Sequence, residues 1–314
     1  MTLLAQLPLP QALALLGNGY LDEALAAVRR LDDVADEEAL HDTRVALRRL
    51  HSLMRAYGDT FAARVPRKLR RAVRRLARAS NPARDAEVQQ AWLLRQEHGL
   101  TPTQQEGYRW LLARLQPASL LELEQALQQG VKRLARRLRP HLAALADEEG
   151  PVWLYTSACA AQAAPLAEEV LVALTAIRGP DDMGAAHEAR ILVKRLRYLL
   201  APLRHDGPAC AHAVAVLRLL QDMLGELHDR HVLAELLRDS AAEAAAAHAR
   251  TLFDTPPPSA WRPPQMPGLL ALARRNHAAI GAFHAELQRN YLGQLAQSVR
   301  QPLVDALAEL DGDS

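Results

Sequence analysis

The chain has 314 residues, long enough for two bundle-sized domains, and its 4% aromatic content and 15 glycines favour helix over sheet. Its 38 basic and 36 acidic residues leave a formal net charge of only +2, which excludes a uniformly sticky polycation. Two distant cysteines, Cys159 and Cys210, fit no zinc spacing and read as free buried thiols, excluding a disulfide framework.

No alternating strand pattern bounded by hairpin turns is visible, so the expected class is all-α. The N-terminus lacks the charge and cleavage pattern of a signal peptide. The apolar run at 152–177 is interrupted by Pro165, Glu168 and Glu169, so no membrane span is expected. A cytoplasmic location follows as the expectation.

The first helix is expected at 20–31, after a proline-containing start, and the second at 37–57. At about 100° per residue, His41, Arg44, Arg48 and Arg55 share an arc of roughly 60°. Leu47, Leu50, Met54, Tyr57 and Phe61 lie opposite, giving one core stripe and one cationic stripe. A third helix is expected at 62–79. Leu69, Ala72, Val73 and Leu76 form its apolar stripe, and Arg67, Lys68, Arg71, Arg74, Arg75 and Arg78 take the rest. No acid occurs between Asp59 and Asp85, whereas solvated helices usually mix the two signs. Like pairs such as Arg67/Arg71 and Arg74/Arg78 each cost about 0.3 kcal/mol, and an anionic partner is the simplest offset.

Ser80-Asn81-Pro82 signals a turn. Helices are expected next at 83–98, 103–115 and 119–146. The last carries Lys132, Arg133 and Arg136, and Pro140 is expected to end or bend it. Glu149-Gly150-Pro151 then divides the chain into halves, 1–150 and 151–314. The second half predicts helices at 152–177, 183–204, 209–225, 228–250, 268–293 and 298–310. The proline-rich stretch from Asp254 to Pro267 predicts a stiff connection without helix.

The halves are related. The series His41, Arg44, Val45, Arg48, Arg49, Leu50 returns as His187, Arg190, Ile191, Lys194, Arg195, Leu196, offset by 146 residues. In the second copy His187, Arg190 and Lys194 share one face, and Val193, Leu196, Leu200 and Leu203 the other. Arg84-Asp85 and Val88 return almost in register as His228-Asp229 and Val232. Each Asp is expected near a helix start, where capping is its plain role.

These residues resemble the CHAD family, the conserved histidine α-helical domain. The resemblance rests on His41, Arg44, Arg48 and Arg49 with Arg84-Asp85, and on His187, Arg190, Lys194, Arg195, Arg197 and Tyr198 with Gly225 and Asp229. It implies two helical bundles related by a pseudo-two-fold axis and a basic surface that binds inorganic polyphosphate, with association to polyphosphate granules. The family's histidines were once thought to bind metal. His51 departs from the pattern, standing where the first motif tends to carry another arginine. Helix 209–225 also departs, with only Arg218 and His212. The E-x-E-x-K signature of the triphosphate-tunnel domain found beside some CHAD domains is approached only by Glu122-Leu-Glu124-Gln-Ala126, which lacks the lysine.

The expected site is a groove lined from both halves by His41, Arg44, Arg48, Arg49, Arg67, Lys68, Arg71, Arg74, Arg75, Arg78, Lys132, Arg133, Arg136, His187, Arg190, Lys194, Arg195 and Arg197. Arginine suits phosphate because its planar fork donates two hydrogen bonds and keeps its charge. Arg49 and Arg195 lie at the edge of the cationic arc, where salt bridges are an alternative. The histidines read as phosphate contacts or as fold supports. Metal ranks lower, since His228 and His231 have no obvious third ligand. No cofactor, glycine-rich phosphate loop or nucleophile-and-base arrangement is visible, and no enzymatic activity is expected. Nucleic-acid binding and docking of an acidic protein are the alternatives. Trp92, Trp110, Trp153 and Trp261 read as packing residues and are not interleaved with the basic runs, which counts against RNA and single-stranded DNA.

Overall fold

Twelve α-helices make up most of the described part of this computed structural model, which describes residues 4–33, 35–36, 38–115, 120–147, 153–254 and 262–312. They are α1 (Leu9–Arg30), α2 (Glu38–Ala56), α3 (Gly58–Arg64), α4 (Arg67–Ala79), α5 (Asn81–Arg95), α6 (Pro102–Arg114), α7 (Leu120–Ala146), α8 (Tyr155–Thr175), α9 (Met183–Leu200), α10 (Pro208–Asp254), α11 (Met266–Tyr291) and α12 (Gln297–Gly312). Among the described residues there is no strand, only an antiparallel bridge between Pro8 and Leu154. The protein is all-α.

Four elements depart from the sequence reading. α1 begins at Leu9 and not near residue 20. Pro10 occupies its first turn, where a missing N–H costs nothing, and Ala12, Leu13 and Leu21 are buried below it. The helix expected at 62–79 is two, because Pro66 forces extended backbone on Val65 (φ −105°, ψ 116°). α7 runs through Pro140 unbroken. Losing one backbone hydrogen bond there costs about 3 kcal/mol. Burying Leu138, Leu142 and Leu145, all 0% exposed, returns about 1.5–3 kcal/mol each.

α10 is one 47-residue helix where two were expected. Its buried positions recur three or four residues apart from Cys210 through Leu217, Leu224, His231 and Leu237 to Ala244, across Gly225 without a slip. Asp229 therefore lies in mid-helix and caps nothing. Asp85 sits a full turn inside α5, whose N-terminal flanking residue is Ser80. Trp153 is 62% exposed, contrary to its packing assignment. The break at Glu149-Gly150-Pro151, and Trp261 within the proline-rich connection, lie outside the described residues.

Three apolar cores hold the helices. The largest unites Leu50, Phe61, Val73 and Leu138 with Tyr155, Val193, Leu220 and Leu303, so both halves of the sequence contribute. A second joins Trp92, Tyr108 and Leu111 of α5 and α6 to Leu237 of α10 and Leu272 of α11. The third packs α1, α2 and α7 through Val28, Leu47 and Val131. In the second core α6 and α11 touch backbone to backbone at Gly107 and Gly268. α8 is long and apolar enough to cross a bilayer by length and composition, and 56% of its most apolar window is buried within the protein. α2 packs against α1, α4 and α9, and α9 packs against α8 and α10, which sets the two motif helices side by side.

Candidate functional site

The motif helices turn their apolar faces inward, burying Leu47, Leu50 and Met54 on α2 and Val193, Leu196 and Leu200 on α9. Their cationic faces border a cleft of about 560 Å³. Arg48 and Arg55 of α2, Arg78 of α4, and Arg190, Lys194 and Arg195 of α9 line it, together with His51 and His187. Ser52, Asn81 and Gln162 add neutral polar groups. Among the described lining residues Glu169 of α8 is the one carboxylate.

The side chains report an uncompensated positive field. Burial, then the guanidiniums of Arg48, Arg190, Arg197 and Arg84, bring the Lys194 ammonium from the usual 10.5 down to about 7. Burial, then Arg78, Arg55 and Arg74, bring His51 from 6.5 down to about 4. Burial also lowers Arg55, with Arg195, Arg78 and Arg74 acting in the same direction. Arg190 is lowered by burial against the pull of Asp229, while Arg84 and Arg48 add repulsion. At the His187 end, His228 of α10 is held near 4 by burial, then by Arg190 and His187. The two histidine rings are 5.0 Å apart.

Not every expected residue reaches this cleft. Arg44 is not among the lining residues; it feels the charges of Arg84 and Arg48 and meets Glu87 at 3.4 Å, while its second terminal nitrogen has no partner. Arg74 acts on it through its field on His51 and Arg55. Arg197 donates to Gln221 at 2.9 Å and lies 4.4 Å over the Tyr198 ring. Arg49 pairs with Glu23 of α1 at 2.9 Å, the structural role its place on the arc allowed. Arg195, at the same edge in the second copy, lines the cleft.

His41 is exposed near the start of α2, away from the lining residues. Arg67, Lys68, Arg71 and Arg75 are exposed on α4, and Lys132, Arg133 and Arg136 on α7, which packs beside α4. The single groove expected from all these cations is therefore a cleft plus a separate basic surface. The reason is geometric: the cations of α4 fan over an arc of roughly 160° along about four turns, and Arg74 and Arg78, toward its C-terminal end, are the ones whose charges reach His51 and Arg55 of α2.

The expected set omits His51, Arg55 and Arg84. The helical wheel already placed Arg55 on the cationic arc, and the repeat already aligned Arg84 with His228. Asn81, Gln162 and Glu169 carry no such signal, because α5 and α8 reach the cleft through tertiary packing alone, and Ser52 is a neutral residue on α2 outside the charged pattern. Among the described residues, no three His, Cys, Asp or Glu side chains converge in a way that could hold a metal ion. What the cleft offers is a fan of charge-assisted donors in a half-buried setting, where an anion is screened less than at an open surface.

A model of the CHAD domain family matches residues 19–238. Among solved structures, the crystal structure of the CHAD domain from the plant Ricinus communis is similar over 97% of this chain and 94% of that one. Its TM-score is 0.61 at 20% sequence identity, a likeness of fold. No curated protein matches the chain. With the family model spanning well over half of its length, the chain belongs to the CHAD-domain family.

Proposed function

We propose that the protein binds inorganic polyphosphate in the cleft between α2 and α9 and performs no chemistry on it. The observation that carries this reading is the cleft's imbalance: six guanidinium and ammonium groups against Glu169 alone. A folded chain tolerates such a cluster when a ligand of opposite sign offsets the repulsion. A linear polyanion fits a fan of donors spread along two helices, and each guanidinium fork can take two phosphate oxygens. Exposed cations on α4, with no acid in the sequence between Asp59 and Asp85, extend the positive field beyond the cleft. No Phe, Tyr or Trp lines the cleft among the described residues, so base stacking finds no platform there. Under this reading the protein is expected in the cytoplasm, at polyphosphate granules where these form.

The test is titration with polyphosphates of defined length at two salt concentrations, with single-stranded DNA of equal charge and an acidic peptide as competitors. Affinity is expected to rise with polymer length and to fall steeply with salt as counterions are released. Orthophosphate release is expected to stay at background. Long polyphosphate binding no better than free phosphate, or DNA binding more tightly at equal charge, would overturn the reading.

A further inference from the structure

The groups around Lys194 differ in one chemical respect: arginine keeps its proton at any accessible pH, and lysine can give it up. Resting on the polyphosphate reading, we infer that the cleft couples anion binding to a proton, with Lys194 neutral when the cleft is empty and charged when a polyanion fills it.

Charged and titratable groups face Lys194 from several helices. From α2 come Arg48 and, across the cleft, His51 with Arg55. From α5 comes Arg84, with Asp85 beyond it toward Arg190. α9 itself adds Arg190 and Arg197, with His187 and Arg195 along the same wall. From α10, His228 and Asp229 face Arg190, and Asp222 faces Arg197. From α8 comes Glu169 on the cleft wall. Asp85 and Asp229 thus address Arg190, and Asp222 addresses Arg197, and none of the described ion pairs includes Lys194.

Crowded by guanidiniums that keep their protons and half-buried, the empty cleft relieves its repulsion by releasing the Lys194 proton. A value near 7 for the empty state follows from the same burial and the same four arginines. Phosphate oxygens reverse the balance. They neutralise the arginines and accept hydrogen bonds from an ammonium, so the filled cleft holds the proton that the empty one gave up. His51 and His228, near 4 when empty, follow the same logic at lower pH. Above neutrality Lys194 is the group that responds.

Calorimetric titration of the full chain with long-chain polyphosphate tests this. It is run near pH 8.5, where phosphate end groups are fully ionised, in two buffers of different ionisation enthalpy. The wild-type protein is expected to take up close to one proton per occupied cleft. Affinity is expected to fall about tenfold per pH unit between about pH 8 and about pH 9.5. Lys194→Arg, which holds a permanent charge at this place in the cleft, is expected to lose the proton uptake and flatten the pH profile, whatever the change in its affinity. Lys194→Met is expected to lose the uptake along with part of the affinity. Binding without proton uptake in the wild type, or unchanged uptake in Lys194→Arg, overturns the coupling and leaves polyphosphate binding standing. No binding at any pH overturns both.

Discussion

The ring of His187 lies 5.0 Å from that of His228, tilted by 39°, so the first residue of the second motif meets the residue that the repeat aligns with Arg84. This contact sits in the positive field of Arg190, and it has a consequence for acid stability. Burial first, then neighbouring cations, hold His228 and His51 near 4, below their ordinary 6.5. Between those values the unfolded chain binds protons that the native chain refuses, so stability falls as pH falls through the window. The melting temperature of the unliganded protein is expected to drop from about pH 6.5 to about pH 5, and His228→Asn to remove part of the slope. Asp229, whose carboxyl burial raises, acts in the opposite sense nearer its ordinary 3.8, which sets the lower limit of the scan. Thermal melts followed by circular dichroism at fixed ionic strength read this directly.

A second prediction separates the cleft from the rest of the basic surface. Arg48→Glu or Arg195→Glu is expected to weaken polyphosphate binding by about tenfold or more, since a charge-assisted contact contributes about 1.5–3 kcal/mol. Arg49→Ala is expected to change affinity by less than about threefold, because its guanidinium is engaged with Glu23 in a partly exposed pair of about 0.2–1 kcal/mol. Reversal of Lys132 or Arg136 on α7 is expected to reduce the salt dependence more than the affinity at a single site. Equal losses across all these positions would mean that the polymer lies on the surface and not in the cleft.

The same comparison shows how far the sequence could be read. Helical periodicity assigned a core face and a cationic face to α2 and α9, and the register of the repeat identified them as equivalent helices of the two halves. Periodicity ranks directions around one helix; it does not say which neighbour a direction meets. That is why Arg71 and Arg75 could not be told from Arg74 and Arg78, and why Glu169 was invisible. The sequence reading ends one helix at Gly225 and begins another at 228, yet apolar residues at Leu220, Leu224 and Leu227 carry a single helix through. A Cβ at Gly225 meets nothing within 4 Å. Gly225→Ala is accordingly expected to stabilise the protein by about 0.5–1 kcal/mol, the entropy of a mid-helix glycine. Denaturant unfolding at constant m-value checks it.

Gly107 and Gly268 are expected to behave in the opposite way. A Cβ on Gly107 would stand 2.1 Å from the Gln265 carbonyl oxygen, and one on Gly268 would stand 2.2 Å from that of Gln104. Both obstacles are backbone, so no side chain can rotate aside. Alanine at either position must push α6 and α11 apart and open the core of Tyr108, Leu111 and Leu272. A loss of about 1–3 kcal/mol is expected for each. The double variant is expected to cost less than the sum, because one separation of the helices accommodates both methyl groups.

Lys194 gives the unliganded protein an alkaline response of unusual sign. Its native value near 7 lies far below the 10.5 of an unfolded lysine, with burial as the first cause and Arg48, Arg190, Arg197 and Arg84 behind it. Below about pH 7 both states hold the proton, and the native state bears the full repulsion. Between those values the unfolded chain holds a proton that the native chain has lost, so stability rises with pH. The Cys159 thiol, raised by burial from 9.0 to about 12, works the other way once the pH exceeds its ordinary value. The clean window is therefore pH 7 to 9. Across it the melting temperature is expected to climb in the wild type and stay level in Lys194→Met, which should also be the more stable of the two at pH 7. Saturating polyphosphate is expected to erase the climb, because the filled cleft keeps the lysine charged. A wild-type melting temperature that stays level across this window, as expected for Lys194→Met, would show that the ammonium keeps its proton in the empty cleft.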